Sequence, residues 1–236
     1  MFQYEKAWQA VMARIGRAAA MAGRSPESVR LLAVSKTFPP GAVRSVHALG
    51  QRAFGENYVQ EALAKMDALA DLPGLEWHLI GPLQSNKTGP VAERFDWVHT
   101  VDREKIAVRL SAARPASRPP LNICIQVNIS GETTKSGVAP DAAVALAQAV
   151  ARLPGLTLRG LMGISEPIDD DKTRRRQFGR LRECFEACRM AGLAVDTLSM
   201  GMSADLEAAI DEGATMVRVG SAIFGARGQR SEGAKK

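Results

Sequence analysis

The feature that most constrains this chain is an alternation. Short apolar runs and helix-length amphipathic stretches take turns from one end to the other. The runs at 30–35, 52–55, 76–80, 97–100, 122–128, 157–162, 197–200 and 216–219 have the length and bounding residues of buried strands. Helical patterns fall between them at 58–70, 85–95, 103–112, 139–153, 172–191 and 203–212, with another after Pro39, Pro40 and Gly41 that stops at Gly50. A helix between consecutive strands forces parallel pairing, because a parallel crossover needs a long connection. Eight such units predict a single closed (β/α)8 TIM barrel, and an open doubly wound sheet is the alternative. No G-x-G-x-x-G follows the first strand, which weighs against the open sheet. A helical pattern over 4–21, ended by Gly23, precedes the first strand and is an extra element.

Composition narrows the class of protein. With 46% apolar and 24% charged residues, the chain of 236 residues can bury a full core. No linker-like segment divides it, so the expected organisation is one barrel over 1–228 and a short basic tail over 229–236. No apolar stretch is long enough for a transmembrane helix, and the N-terminus lacks a signal peptide's apolar region. Cys124, Cys184 and Cys188 form no disulfide framework, and His47, His78 and His99 are too dispersed for a zinc site, so a cytoplasmic location and no metal are expected. The net charge of +6 is concentrated in the run from Lys172 to Arg176, with Arg180 and Arg182 beyond. This run follows acidic residues at a helix start and lacks interleaved aromatics, so it reads as a solvated helix face rather than a nucleic-acid site.

In a (β/α)8 barrel, chemistry collects at the C-terminal strand ends. The candidates there are Ser35 and Lys36, Glu56 and Asn57, His78 with Gly81, His99 and Thr100, Gln126 and Asn128, Gly163, Ser199 to Ser203, and Arg218 with Gly220 and Ser221. Lys36 is either a strand-end lysine reaching for solvent or a desolvated amine suited to capturing an aldehyde. Two small-residue turns, one ending at Ser203 and one through Gly220 and Ser221, follow the seventh and eighth strands. Barrels frequently hold a phosphate there, at helix N-termini. Arg218 lies inside an apolar strand and needs a partner. That partner is either a core carboxylate such as Glu56 or the ring nitrogen of a bound cofactor.

The blocks LLAVSKT at 31–37, FGENYVQE at 54–61, WHLIGPLQSNK at 77–87, LSMGMSAD at 198–205 and MVRVGSAIFG at 216–225 carry a resemblance. Shorter matches at His99 to Asp102, Gln126 to Asn128, Lys135 to Gly137 and 160–164 fall between them in the same order. Across nearly its whole length the sequence resembles the YggS/PROSC family, the pyridoxal phosphate homeostasis proteins. The resemblance implies a barrel like the N-terminal domain of alanine racemase, with pyridoxal 5′-phosphate as a Schiff base on Lys36. It implies that Ser203, Gly220 and Ser221 hold the phosphate and that Arg218 faces the pyridine nitrogen. Asn57, His78 and Met200 would line the pocket.

Some relatives carry a second lysine just after the cofactor lysine. Here that position is Phe38, leaving Lys135 as a possible secondary acceptor of the cofactor. An arginine at the ring nitrogen would leave that nitrogen unprotonated and the ring a weak electron sink. The racemase resemblance also implies a second base, a tyrosine from another domain, whereas this sequence has only Tyr4 and Tyr58. The expected function is therefore intracellular vitamin B6 homeostasis, by buffering pyridoxal phosphate or delivering it to apo-enzymes, with no catalytic residues. A weak amino-acid racemase is the alternative. A monomer is expected, since the racemase's dimerising domain has no counterpart.

Overall fold

The computed structural model describes residues 4–132, 135–166 and 170–225. The basic tail expected at 229–236 lies outside them. Eight parallel strands close into a barrel in sequence order: β1 (Arg30–Val34), β2 (Ala53–Glu56), β3 (Glu76–Leu79), β4 (Trp97–Val101), β5 (Leu121–Gln126), β6 (Leu156–Met162), β7 (Thr197–Ser199) and β8 (Met216–Val219). β8 returns to β1 with Leu31 opposite Val217 and Ala33 opposite Val219.

The expected helices are α1 (Glu5–Met21), α2 (Pro40–His47), α3 (Val59–Ala68), α4 (Thr88–Arg94), α5 (Glu104–Ala113), α6 (Ala143–Ala151), α7 (Asp171–Met190) and α8 (Leu206–Asp211). Each strand is thus matched to its run within about two residues. The stretches at 85–95 and 139–153 are shorter helices than expected, because each opens with a single 3-10 turn, at Ser85–Lys87 and Pro140–Ala142. A further short helix, α9 (Ser221–Phe224), follows β8.

Alternation of side chains along each strand builds two layers. On β1, Leu31 and Ala33 join the large cluster between strands and helices, while Leu32 points inward to Ala53 and Met216. Trp97, Cys124 and Met162 form a second small inner cluster. The inner filling is otherwise largely polar, with His78, His99, Ser199 and Arg218 all buried. In α7 the Asp170 side chain accepts from the Lys172 and Thr173 amides, a cap that fixes where the helix starts. Cys184 and Cys188 lie on its buried face. The basic run is tied down by acids: Arg175 pairs with Asp171 at 2.8 Å and with Asp211, and Arg182 with Glu212 at 3.3 Å.

The extra helix α1 packs on α8 and α9, at the seam where the last elements meet the first strand. Tyr4 meets Phe224 edge-on with ring centroids 5.6 Å apart. Arg14 binds Glu207 at 2.8 Å and donates twice to the Ser203 carbonyl at 3.2 Å.

Candidate cofactor site at the C-terminal mouth

β1 ends at Val34, and Lys36 stands in the turn that follows, half-buried. The next residue, Thr37, has a left-handed backbone at φ 68°, which is unfavourable for a β-branched residue. It is held by its neighbours. Its N–H donates to Glu61 Oε1 at 2.6 Å. Lys65 Nζ donates to that same oxygen at 2.6 Å, to Glu56 Oε1 at 2.7 Å and to the Ser35 carbonyl at 2.7 Å. Ser35 Oγ adds a bond to Glu56 at 2.6 Å. Burial pushes the Glu56 carboxyl up, against the pull of Lys65. Glu56 is therefore the partner of Lys65 and not of Arg218, which corrects one of the two expectations for that arginine.

Lys36 opens onto a cavity of about 340 Å³, within the size range of small-molecule sites. Val34, Phe38, Asn57 and Ile80 line it together with Ser203, Arg218, Gly220 and Ser221. Ile164 and Met202, both exposed, lie on its lining as well. The hydroxyls of Ser203 and Ser221 are 3.3 Å apart, so the two turns do converge. Ser203 precedes the helix it was expected to open: α8 starts at Leu206, with Asp205 as its cap residue. Gly220 is packed closely enough that a Cβ there would meet the Val34 carbonyl at 3.1 Å.

Arg218 is 4% exposed and lines the cavity. Its guanidinium donates to the Ser199 carbonyl at 2.7 Å, to Ser199 Oγ at 3.0 Å and to the Gly163 carbonyl at 2.9 Å. Burial lowers its pKa to about 10, still well above neutrality, so it remains a cation and a donor. No carboxylate touches it among the described residues.

Six of the eight residues expected around the cofactor line this one cavity: Lys36, Asn57, Ser203, Arg218, Gly220 and Ser221. His78 and Met200 are fully buried and do not. His78 Nδ1 lies 2.9 Å from His99 Nε2, beneath the mouth. Lys135 lines an adjoining cavity of about 310 Å³, which shares Asn57, Ile80 and Ile164 with the first. The Lys135 amine is 3.6 Å from Glu132. Tyr58 is 59% exposed, and neither it nor Tyr4 lines either cavity.

Sequence reasoning missed the Lys65 network. Its signal was present: Lys65 falls on the stripe of Val59, Ala62 and Met66, the buried face of α3, where a lysine needs a partner.

The alanine racemase N-terminal domain family matches residues 8–228. A pyridoxal phosphate homeostasis protein of Pseudomonas aeruginosa is 62% identical over 217 residues, covering 92% of this chain and 93% of its own. The chain belongs to the pyridoxal phosphate homeostasis protein family. Its counterpart of the same name in Escherichia coli is 54% identical, covering 91% of this chain and 92% of its own. Among solved structures, PipY of Synechococcus elongatus with pyridoxal phosphate bound superposes with a TM-score of 0.78 at 38% identity, covering 89% of this chain and all of that one. Alanine racemase of Corynebacterium glutamicum shares the fold at a TM-score of 0.66 and 18% identity, over 96% of this chain and 63% of its own. The superposition leaves about a third of that racemase chain unmatched.

Proposed function

We propose that this protein binds pyridoxal 5′-phosphate covalently through Lys36 and serves vitamin B6 homeostasis by holding the cofactor and releasing it to apo-enzymes. The observation that carries the reading is the meeting, in one cavity, of a lysine amine, two serine turns and a cationic arginine. These match an aldehyde, a phosphate and a ring nitrogen in turn. When bound, pyridoxal phosphate supplies an aldehyde that an amine captures reversibly.

The residues have separable tasks. Lys36 supplies the amine, and the Lys65 network fixes the turn that aims it. Ser203 and Ser221 offer hydroxyls to the phosphate. Gly220 keeps its turn close to Val34. Arg218 donates and cannot accept, so it holds a ring nitrogen as a bare acceptor. Asn57 Oδ1 is buried without a hydrogen-bond partner, an acceptor awaiting a donor on the ligand.

Buffering is favoured over racemisation by the placement of the tyrosines. A two-base racemase needs a second acid–base group facing the lysine, and neither Tyr4 nor Tyr58 lines the cavity. Lys135 lines the adjoining cavity, which supports its reading as a secondary acceptor during release. The reading includes a monomer in the cytoplasm. Among the described residues no helix is long and apolar enough to cross a membrane.

The test is an absorbance spectrum with pyridoxal phosphate before and after borohydride, followed by peptide mapping. A visible band that reduction locks onto Lys36, and that is lost in Lys36→Ala, is expected. A protein that stays colourless and unmodified would refute the reading. Sustained release of D-alanine from L-alanine, beyond one equivalent per protein, would replace the buffer with the racemase.

A further inference from the structure

Five side chains on four strands form a continuous line through the barrel. Arg218 on β8 donates to Ser199 Oγ on β7 at 3.0 Å. Ser199 Oγ lies 3.0 Å from His99 Nδ1 on β4. His99 Nε2 lies 2.9 Å from His78 Nδ1 on β3, and His78 Nε2 lies 2.5 Å from Glu76 Oε1. Glu76 opens β3 at the opposite mouth from Lys36 and pairs there with Arg30 at 2.8 Å. The His78 ring stacks on Trp97 at 5.1 Å, with the planes 9° apart.

The two ends dictate the direction of every bond between them. A carboxylate only accepts, so His78 carries its proton on Nε2 and leaves Nδ1 bare. The bare nitrogen accepts from His99 Nε2–H, which leaves His99 Nδ1 bare in turn. That nitrogen accepts from the Ser199 hydroxyl, whose oxygen accepts from Arg218. An arginine only donates, so the line closes without conflict. Both rings must be neutral for this. Burial lowers the pKa of each histidine. The charged groups acting on His78 are Glu76, Arg30 and Asp96, and those acting on His99 are Arg218 and Arg30, with His78 adding repulsion only if it too were protonated.

We propose that this line is a polarised relay through which Glu76, at the far mouth, orients the guanidinium that Arg218 presents to the cofactor cavity. Glu76, His78, His99 and Ser199 are then positioning residues. The polarity stands on the protein alone, and only the effect on a bound ring rests on the pyridoxal phosphate reading. No proton leaves the line. What is fixed is which nitrogen carries it.

The test is ¹⁵N–¹H correlation of the imidazole side chains in the purified full chain at neutral pH. His47, whose Nε2 faces the Pro73 carbonyl at 2.9 Å, serves as reference. His78 and His99 are expected as neutral Nε2–H tautomers. Glu76→Leu is expected to move His99, which Glu76 does not touch, toward the Nδ1–H tautomer. Ser199→Ala is expected to leave both tautomers in place. A wild-type His99 that is protonated on Nδ1, or that is indifferent to the loss of Glu76, would overturn the relay. Wild-type tautomers decide the polarity without any variant, and Glu76→Ala, which likewise removes the acceptor, replaces Glu76→Leu if that protein does not fold. Pyridoxal phosphate added to the same samples separates the two readings. The expected tautomers without a visible band would sink the cofactor reading alone. A normal band above reversed tautomers would sink the relay alone.

Discussion

Lys65 Nζ lies 2.7 Å from Glu56 Oε1, and the two side chains are 4% and 0% exposed. A buried pair of this kind is costly to split, because the survivor is left charged and unpaired. Here it also does a local job. Through Glu61 and the Ser35 carbonyl, Lys65 ties together both ends of the turn that bears Lys36. Lys65→Met is expected to destabilise the protein by about 3–5 kcal/mol, the range for breaking a buried pair. Urea denaturation measures it. Adding Glu56→Gln to Lys65→Met should recover part of the loss, since no lone carboxylate then remains.

Gly81 sits where a Cβ would meet the Asn57 carbonyl oxygen at 2.0 Å. Backbone cannot be nudged aside as a flexible side chain can. Gly81→Ala should therefore displace Asn57, which lines both cavities, and cost about 1–3 kcal/mol as an overpacking change. The diagnostic result is a loss of pyridoxal phosphate capture larger than the loss of stability explains. Capture at the wild-type level would show that Asn57 tolerates the shift.

Stability should fall on the acid side in two stages. Burial, reinforced by His78, holds the His99 pKa well below its ordinary 6.5. The folded ring stays neutral while an unfolded one takes up a proton, so this contribution is complete above pH 6.5 and is lost as pH falls below it. Burial would raise the Glu76 carboxyl, but the His78 bond and Arg30 outweigh it and hold the pKa at about 2. Its contribution is complete above its ordinary value of 4.5 and is lost as pH falls toward 2. Urea midpoints measured across pH should show both losses. His99→Asn should flatten the first stage and Glu76→Gln the second.

The convergence of Ser203 and Ser221 makes a chemical distinction testable. Replacing both by alanine removes the hydroxyls that the proposed reading assigns to a phosphate. The double variant should bind pyridoxal 5′-phosphate at least about tenfold more weakly, from two lost hydrogen bonds to a charged group. Its affinity for pyridoxal, which lacks the phosphate, should be unchanged. Equal loss for both ligands would remove the serines from a phosphate role.

The barrel was legible because its evidence is local and repeated. Each strand is a run such as Leu31 to Val34, and each is separated from the next by a helix-length stretch. Lys36, Ser203, Arg218 and Gly220 were legible for a related reason: strand parity and strand ends place residues without knowledge of the tertiary contacts. The rest depends on who meets whom across the fold. Glu56 sits at a strand end like the other candidates, yet it turns to Lys65 on α3 rather than to Arg218. His78 shares the strand-end position of a pocket residue but points into the barrel, where His99 is 21 residues away in sequence. Ser203 lines the cavity as expected, although the helix expected to begin there begins at Leu206.

The grip of Arg14 on the Ser203 carbonyl has a consequence for biosynthesis. Helix α1 braces a loop that emerges nearly two hundred residues after it, and β1 finds its closing neighbour only when β8 appears. The cavity is assembled from segments made far apart in time. A nascent chain carrying Lys36 has the amine but not Ser203, Arg218 and Ser221, so the proposed capture of pyridoxal phosphate requires a chain whose barrel has already closed.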